Sequence, residues 1–219
     1  MAADESNLQS SAGMPALVSK ELQEALDLAT ARVLLDPISS IYRHDLIEVH
    51  ERIGDWHAEA GADHAALAAF EQALGSCRKL LDLHKDQTGP QLRLSDLQVR
   101  IGDFRKALGD EAAAMVAYGE AVSIRERMLS FFPESQRLRR DLAIAQWRLA
   151  EVDTRNRKRL MASANTILLS QQKEGVLTDG DRWMVDAIKR QLDSTSAANC
   201  PNPAPASTGL WLKLKSLFS

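Results

Sequence analysis

A repeat with a period of 48 residues limits what this chain can fold into more than any other feature. Arg52-Ile53-Gly54-Asp55 returns as Arg100-Ile101-Gly102-Asp103 and, loosened, as Arg148-Leu149-Ala150-Glu151. The same offset joins Leu46, Leu94 and Leu142; Gly61 and Gly109; Ala66, Ala114 and Ala162; Phe70 and Tyr118; and Ala25, Ala73 and Ala121. Pro37 and Pro133 stand two offsets apart. A fixed period of this length marks stacked supersecondary units, each unable to bury its apolar surface alone.

Inside a unit the periodicity is helical. Leu46, Val49, Ile53 and Trp56 recur at steps of three and four. Beyond Gly61 the apolar set is Ala66, Leu67, Phe70, Ala73, Leu74, Cys77, Leu80 and Leu81, one face of a second helix. Gly61 and Gly109 fall where the first helix stops, because glycine accepts the left-handed closing conformation without steric cost. Asp63 and Asp110 follow and are expected to accept from the free N–H groups of the next helix. The expectation is an all-α solenoid of helix–turn–helix pairs.

These residues resemble the tetratricopeptide repeats, in a long-period bacterial variety. Ile53-Gly54, Gly61, Ala66, Phe70 and Ala73 fill that family's pattern, as do Ile101-Gly102, Gly109, Ala114, Tyr118 and Ala121. The family's usual period is 34, so 48 implies longer helices or connections. His50 and His57, then Gln98 and Arg105, replace the family's aromatics in the first helix, and the third unit carries Arg157 and Thr166 at the glycine and aromatic positions. The resemblance implies a right-handed array whose concave groove is lined by the first helix of each pair, here called helix A.

Organisation follows from composition along the chain. Residues 1–18 read as a flexible arm, 19–192 as the array, 193–209 as a linker with Pro201, Pro203 and Pro205, and 210–219 as an amphipathic tail helix. Residues 19–35 look like an orphan second helix. Thr178-Asp179-Gly180-Asp181 has capping-box character, and Met184, Ala187, Ile188 and Leu192 form a stripe suited to a helix that caps the open end.

Composition narrows the function classes. Hydrophobic residues are 45%, charged residues 26% and aromatics 5%, the balance of a globular protein rich in helix formers. A net charge of −3 and a pI of about 6.0 give no bulk attraction to nucleic acid. Two cysteines, Cys77 and Cys200, cannot build a disulfide framework. With no secretory leader and no spanning segment, the expected location is cytoplasmic. The motif His50-Glu51 lacks the second histidine of a zinc protease, since Gly54 stands there, and no phosphate loop or nucleophile elbow is present. His50, His57 and His64 read as surface or packing residues. No cofactor, metal or catalytic residue is expected.

The chemistry therefore points to binding. By position, the groove implied by the resemblance holds Glu48, Glu51, Arg52, Asp55 and Glu59, then Asp96, Val99, Arg100, Asp103 and Lys106, then Ile144, Trp147, Arg148, Glu151 and Arg155. It runs from acidic to basic and aromatic. The Arg52, Arg100 and Arg148 series allows two readings. Each can pair within its helix to the acid three residues on, Asp55, Asp103 or Glu151; or the three guanidinium forks can face carboxylates of a ligand. Trp147 reads as either an exposed anchor for a partner or a core residue. Arg137, Arg139, Arg140, Arg155, Arg157, Lys158 and Arg159 make a basic cluster, either a solvated edge or a contact for RNA or anionic lipid.

In the tail, Leu210, Trp211, Leu214, Leu217 and Phe218 share a helical face and Lys213 and Lys215 lie off it. A helix this short needs a surface to fold on: a membrane, a partner's groove or the protein's own groove. The expectation is a non-enzymatic adaptor that captures a protein or peptide in its groove, with peripheral contact at the inner face of the membrane or at a partner through the tail. The alternatives are a self-associating structural subunit whose groove its own tail fills, and an RNA-contacting accessory protein.

Overall fold

A computed structural model describes residues 18–84, 87–178 and 181–196, with side chains through Leu192. Eight helices and no strand occur among the described residues: α1 (Lys20–Leu35), α2 (Ser40–Glu59), α3 (Asp63–Leu83), α4 (Thr88–Ala107), α5 (Glu111–Phe131), α6 (Gln136–Val152), α7 (Arg157–Lys173) and α8 (Arg182–Ser196). Each helix packs against its neighbours in chain order, as in a helical solenoid. α2, α4 and α6 are the helices A, and α1, α3, α5 and α7 are the second helices of the pairs.

The register of 48 sets where helices begin. α2, α4 and α6 start at Ser40, Thr88 and Gln136. Ser39 and Ser135, two offsets apart, cap α2 and α6 by accepting from the N–H groups of Tyr42 and Leu138. α2 and α4 stop alike. Gly61 and Gly109 take φ of 71° and 84°, and Ala62 and Asp110 donate back to the carbonyls of His57 and Arg105. The third unit lacks this glycine and turns through Asp153, which accepts from the Asn156 N–H at 3.1 Å. Asp110 caps α5 by accepting from the Ala113 N–H. Asp63 does not cap: Ala62 holds the cap position of α3 and Asp63 lies in its first turn.

Close approach within a pair depends on the small residue of helix A. A Cβ on Gly54 would lie 2.7 Å from the Phe70 ring, and one on Gly102 would lie 2.5 Å from the Tyr118 ring. Both rings are fully buried. Phe70 also stacks on Phe104 of α4 with 5.5 Å between centroids, joining the first full pair to the second. The faces of α3 and α5 that carry the repeat residues, Ala66, Phe70, Ala73 and Ala114, Tyr118, Ala121, are buried throughout. Each large apolar side chain so covered contributes on the order of 1.5–3 kcal/mol.

α6 differs from its sister helices, for every residue from Leu142 to Ala150 is buried. α5, α7 and α8 enclose it. Met184, Val185 and Ile188 of α8 join the core cluster that holds Ala143, Ile144 and Trp147. α8 is fastened by Asp181, whose carboxylate accepts from Arg140 Nε at 2.7 Å and Nη2 at 2.8 Å. Among the described residues, no helix is long and apolar enough to cross a membrane.

Candidate partner-binding face

The helix-A residues meet chiefly across units rather than along one helix. Glu51 of α2 accepts two bonds from Arg93 of α4, at 2.7 and 3.1 Å. Arg100 Nη1 donates to Asp55 at 2.9 Å, Lys106 donates to Glu151 at 2.8 Å, and Arg148 Nε lies 3.3 Å from Asp103. Of the three pairings expected within a helix, only Arg148–Glu151 forms, at 3.5 Å. The acid three residues on sits beside the same helix turn, but the next unit's arginine approaches it from the side. The repeated Arg/Asp motif is thus chiefly a bridge between successive helices A. Arg52, which has no earlier described helix A beside it, is exposed and takes part in no ion pair among the described residues.

Around the second bridge the network goes inward. Tyr118 Oη donates to Asp103 at 2.7 Å, and Arg148 is 2% exposed. Burial pushes the Asp103 carboxyl above the usual carboxylate range, and the attraction of Arg148 and the Tyr118 bond offset only part of that. Asp96 pairs with Arg125 at 2.6 Å. Arg125 is 1% exposed and also donates to Ser95 Oγ and the Asp141 carbonyl. It occupies the repeat position of Ala29 and Cys77, so no periodic signal marks it in the sequence.

Three residues expected to line an open groove are interior. Val99 and Ile144 are buried, and Trp147 is 5% exposed. The Trp147 indole meets Trp183 of α8 edge-on with 5.3 Å between centroids, so α8 covers the position where an anchor would stand. Arg148 is likewise enclosed and committed to Asp103 and Glu151. The residues that remain exposed are Glu48, Arg52 and Glu59 on α2, and Arg155 beyond α6. The gradient from acidic to basic is therefore largely neutralised by pairing.

The basic cluster is also mostly engaged. Arg139 pairs with Glu134 and Glu174, Arg140 with Asp181, and Arg137 with Asp141, while Arg157 donates to the carbonyls of Ala150 and Glu151. Arg155, Lys158 and Arg159 stay exposed. No group of His, Cys, Asp and Glu among the described residues could hold a metal ion. Burial lowers the pKa of His50 and of His57.

The first helices leave apolar surface in the open. Leu28, Leu34, Leu35, Ile38 and Ile41 are 54–85% exposed. Between α1 and α2 lies a pocket of about 290 Å³, lined by Ala25, Leu28 and Arg32 on one side and Asp45, Glu48 and Val49 on the other. The repeat pattern does not mark this groove, because Leu28, Arg32 and Val49 differ from their counterparts while Ala25 repeats unchanged. The tail residues Leu210, Trp211, Lys213, Leu214, Lys215, Leu217 and Phe218, and nearly all of the N-terminal arm, lie outside the described residues. No family model matches the chain, and no curated protein matches it.

Proposed function

We propose that this protein is a non-enzymatic adaptor, a tetratricopeptide-like right-handed array that holds a protein or peptide partner against its helix-A face. The observation that carries this reading is the state of Arg52. Its counterparts Arg100 and Arg148 each take a carboxylate from the preceding helix A, whereas Arg52 presents the same guanidinium to solvent beside exposed Glu48. A partner segment bringing a carboxylate to Arg52 would continue the series of bridges by one step. The face behind it is held rigid by the cross-unit pairs, which lowers the entropy lost on binding.

The test is affinity capture from the native cell with the full chain and with the double variant Glu48→Lys, Arg52→Glu. Both residues are exposed, so the fold should be unchanged. The reading requires a protein retained by the parent chain and by an Arg159→Glu control but lost from the double variant. Identical captured sets for all three would end it.

A further inference from the structure

In each later unit, the groove between a second helix and the following helix A is filled by the helix A that precedes them. α2 packs on α3 and bridges to α4 through Glu51–Arg93; α4 packs on α5 and bridges to α6 through Asp103–Arg148. Ala73, Cys77 and Leu80 of α3 are fully buried beneath that arrangement. One repeat earlier, Leu80 corresponds to Arg32, whose side chain is 46% exposed, and the α1–α2 groove carries the pocket described above. Leu28 stands 54% exposed on its rim. Leu35 and Ile41 lie beyond the seat, for the counterparts of Leu35 in the filled grooves, Leu83 and Phe131, stay 42% and 69% exposed. By repeat equivalence the groove is the seat of a helix with an apolar face.

Charge specifies the occupant further. The counterparts of Asp45 are Arg93 and Asp141; Arg93 meets a carboxylate, Glu51, from the helix that fills its groove. At the first groove Asp45 is already held by Arg32 at 3.3 Å, which leaves exposed Glu48 as the acid on the wall for a cation of the incoming helix. Residues 1–18 contain Asp4 and Glu5 and no lysine or arginine. Residues 201–219 contain Lys213 and Lys215, no acid, and the apolar stripe Leu210, Trp211, Leu214, Leu217 and Phe218.

We propose that Leu210–Phe218 docks as a helix in the α1–α2 groove of its own chain, its stripe on Ala25, Leu28 and Val49 and a lysine toward Glu48. The tether is long enough. Residues 197–209, fully extended, span up to about 45 Å. The row from α8 through α6, α4 and α2 to the groove is about 32–40 Å at 8–10 Å per helix. A tethered segment also meets its site at millimolar effective concentration, which favours the same chain over a second copy. The inference concerns the chain's own segment and stands whether or not a partner binds at Arg52; the experiment below reads no partner.

Disulfide trapping in the full chain tests it. Cys200 is changed to Ser, and Cys77 stays inert because it is buried and burial pushes its thiol up to about 12. Leu28→Cys is combined with Leu214→Cys and oxidised at micromolar protein. The control joins Arg159→Cys on α7 to Leu214→Cys, an exposed site closer along the stack to α8, where the tether begins. Docking requires closure within monomers at least tenfold faster for Leu28 than for Arg159, and a faster hydrogen exchange of α1 in the variant Leu214→Asp, Leu217→Asp. Equal closure rates, closure only between two chains, or α1 exchange indifferent to the tail substitutions would each overturn it.

Discussion

Arg100 of α4 reaches back to Asp55 of α2 at 2.9 Å, and the same guanidinium lies 5.2 Å from the centroid of the Phe70 ring. One side chain thus fastens two successive helices A and covers the aromatic by which α3 stacks on α4. Both members of the pair are about a quarter exposed, which limits what the attraction is worth. Arg100→Ala should cost about 1–2 kcal/mol, more than Asp55→Ala, because it also removes the contact with the ring. A double-mutant cycle by urea unfolding should give a coupling of roughly 0.5–1 kcal/mol; no coupling would mean that the bridge is ornamental.

Glycines inside these helices should divide into two groups. Gly75 and Gly119 have nothing within 4 Å of where a Cβ would stand, so alanine there should stabilise by roughly 0.5–1 kcal/mol through helix propensity. Gly54 and Gly102 face the buried rings of Phe70 and Tyr118 at 2.7 and 2.5 Å, so alanine should destabilise by about 1–3 kcal/mol. Thermal unfolding of the four single variants checks the sign. Four changes of one sign would contradict the close packing of the pairs.

Acid should loosen α2 before the rest of the array. Burial lowers the pKa of His44, His50 and His57, and for His44 the positive charge of Arg93 adds to it. A lowered folded-state pKa means that the unfolded chain binds the proton more readily. The contribution is therefore complete above the ordinary histidine value of 6.5 and is lost as pH falls through it toward the lower folded values. Hydrogen exchange at α2, read at pH 7.5 and 5.5, should rise relative to α5 at the lower pH. His50→Gln with His57→Gln should flatten that difference.

Trp147→Ala should act on stability before anything else. The side chain is 5% exposed against Trp183, and truncation of a buried aromatic costs about 3–5 kcal/mol. Urea unfolding followed by the fluorescence of the remaining tryptophans measures this. A loss below 0.5 kcal/mol would mean that α8 does not cover α6 in solution.

The repeat made the helix pairs, their turns and the Gly54–Phe70 approach readable, because packing between units selects residue type at a fixed register. The partner of each arginine was not readable. Asp55 lies three residues beyond Arg52 and forty-five before Arg100, and in a repeat of 48 both distances recur together. Trp147 was ambiguous because its surroundings depend on α8, which lies outside the repeat pattern. Arg125 was invisible, since Ala29 and Cys77 at its position carry no charge. The α1–α2 groove was missed for the opposite reason: an interrupted pattern shows itself only once the uninterrupted copies have been placed beside it.

The chain-order packing of the eight helices has a kinetic consequence. Contacts join segments that are close along the backbone, so ordering can start at any pair and spread like a zip, with little loop entropy lost at each step. Melting should run the other way, from whichever end is less anchored, leaving the interior pairs intact while the outermost ones fray. The first place to look for such fraying is α1, which packs against only one neighbouring helix among the described residues.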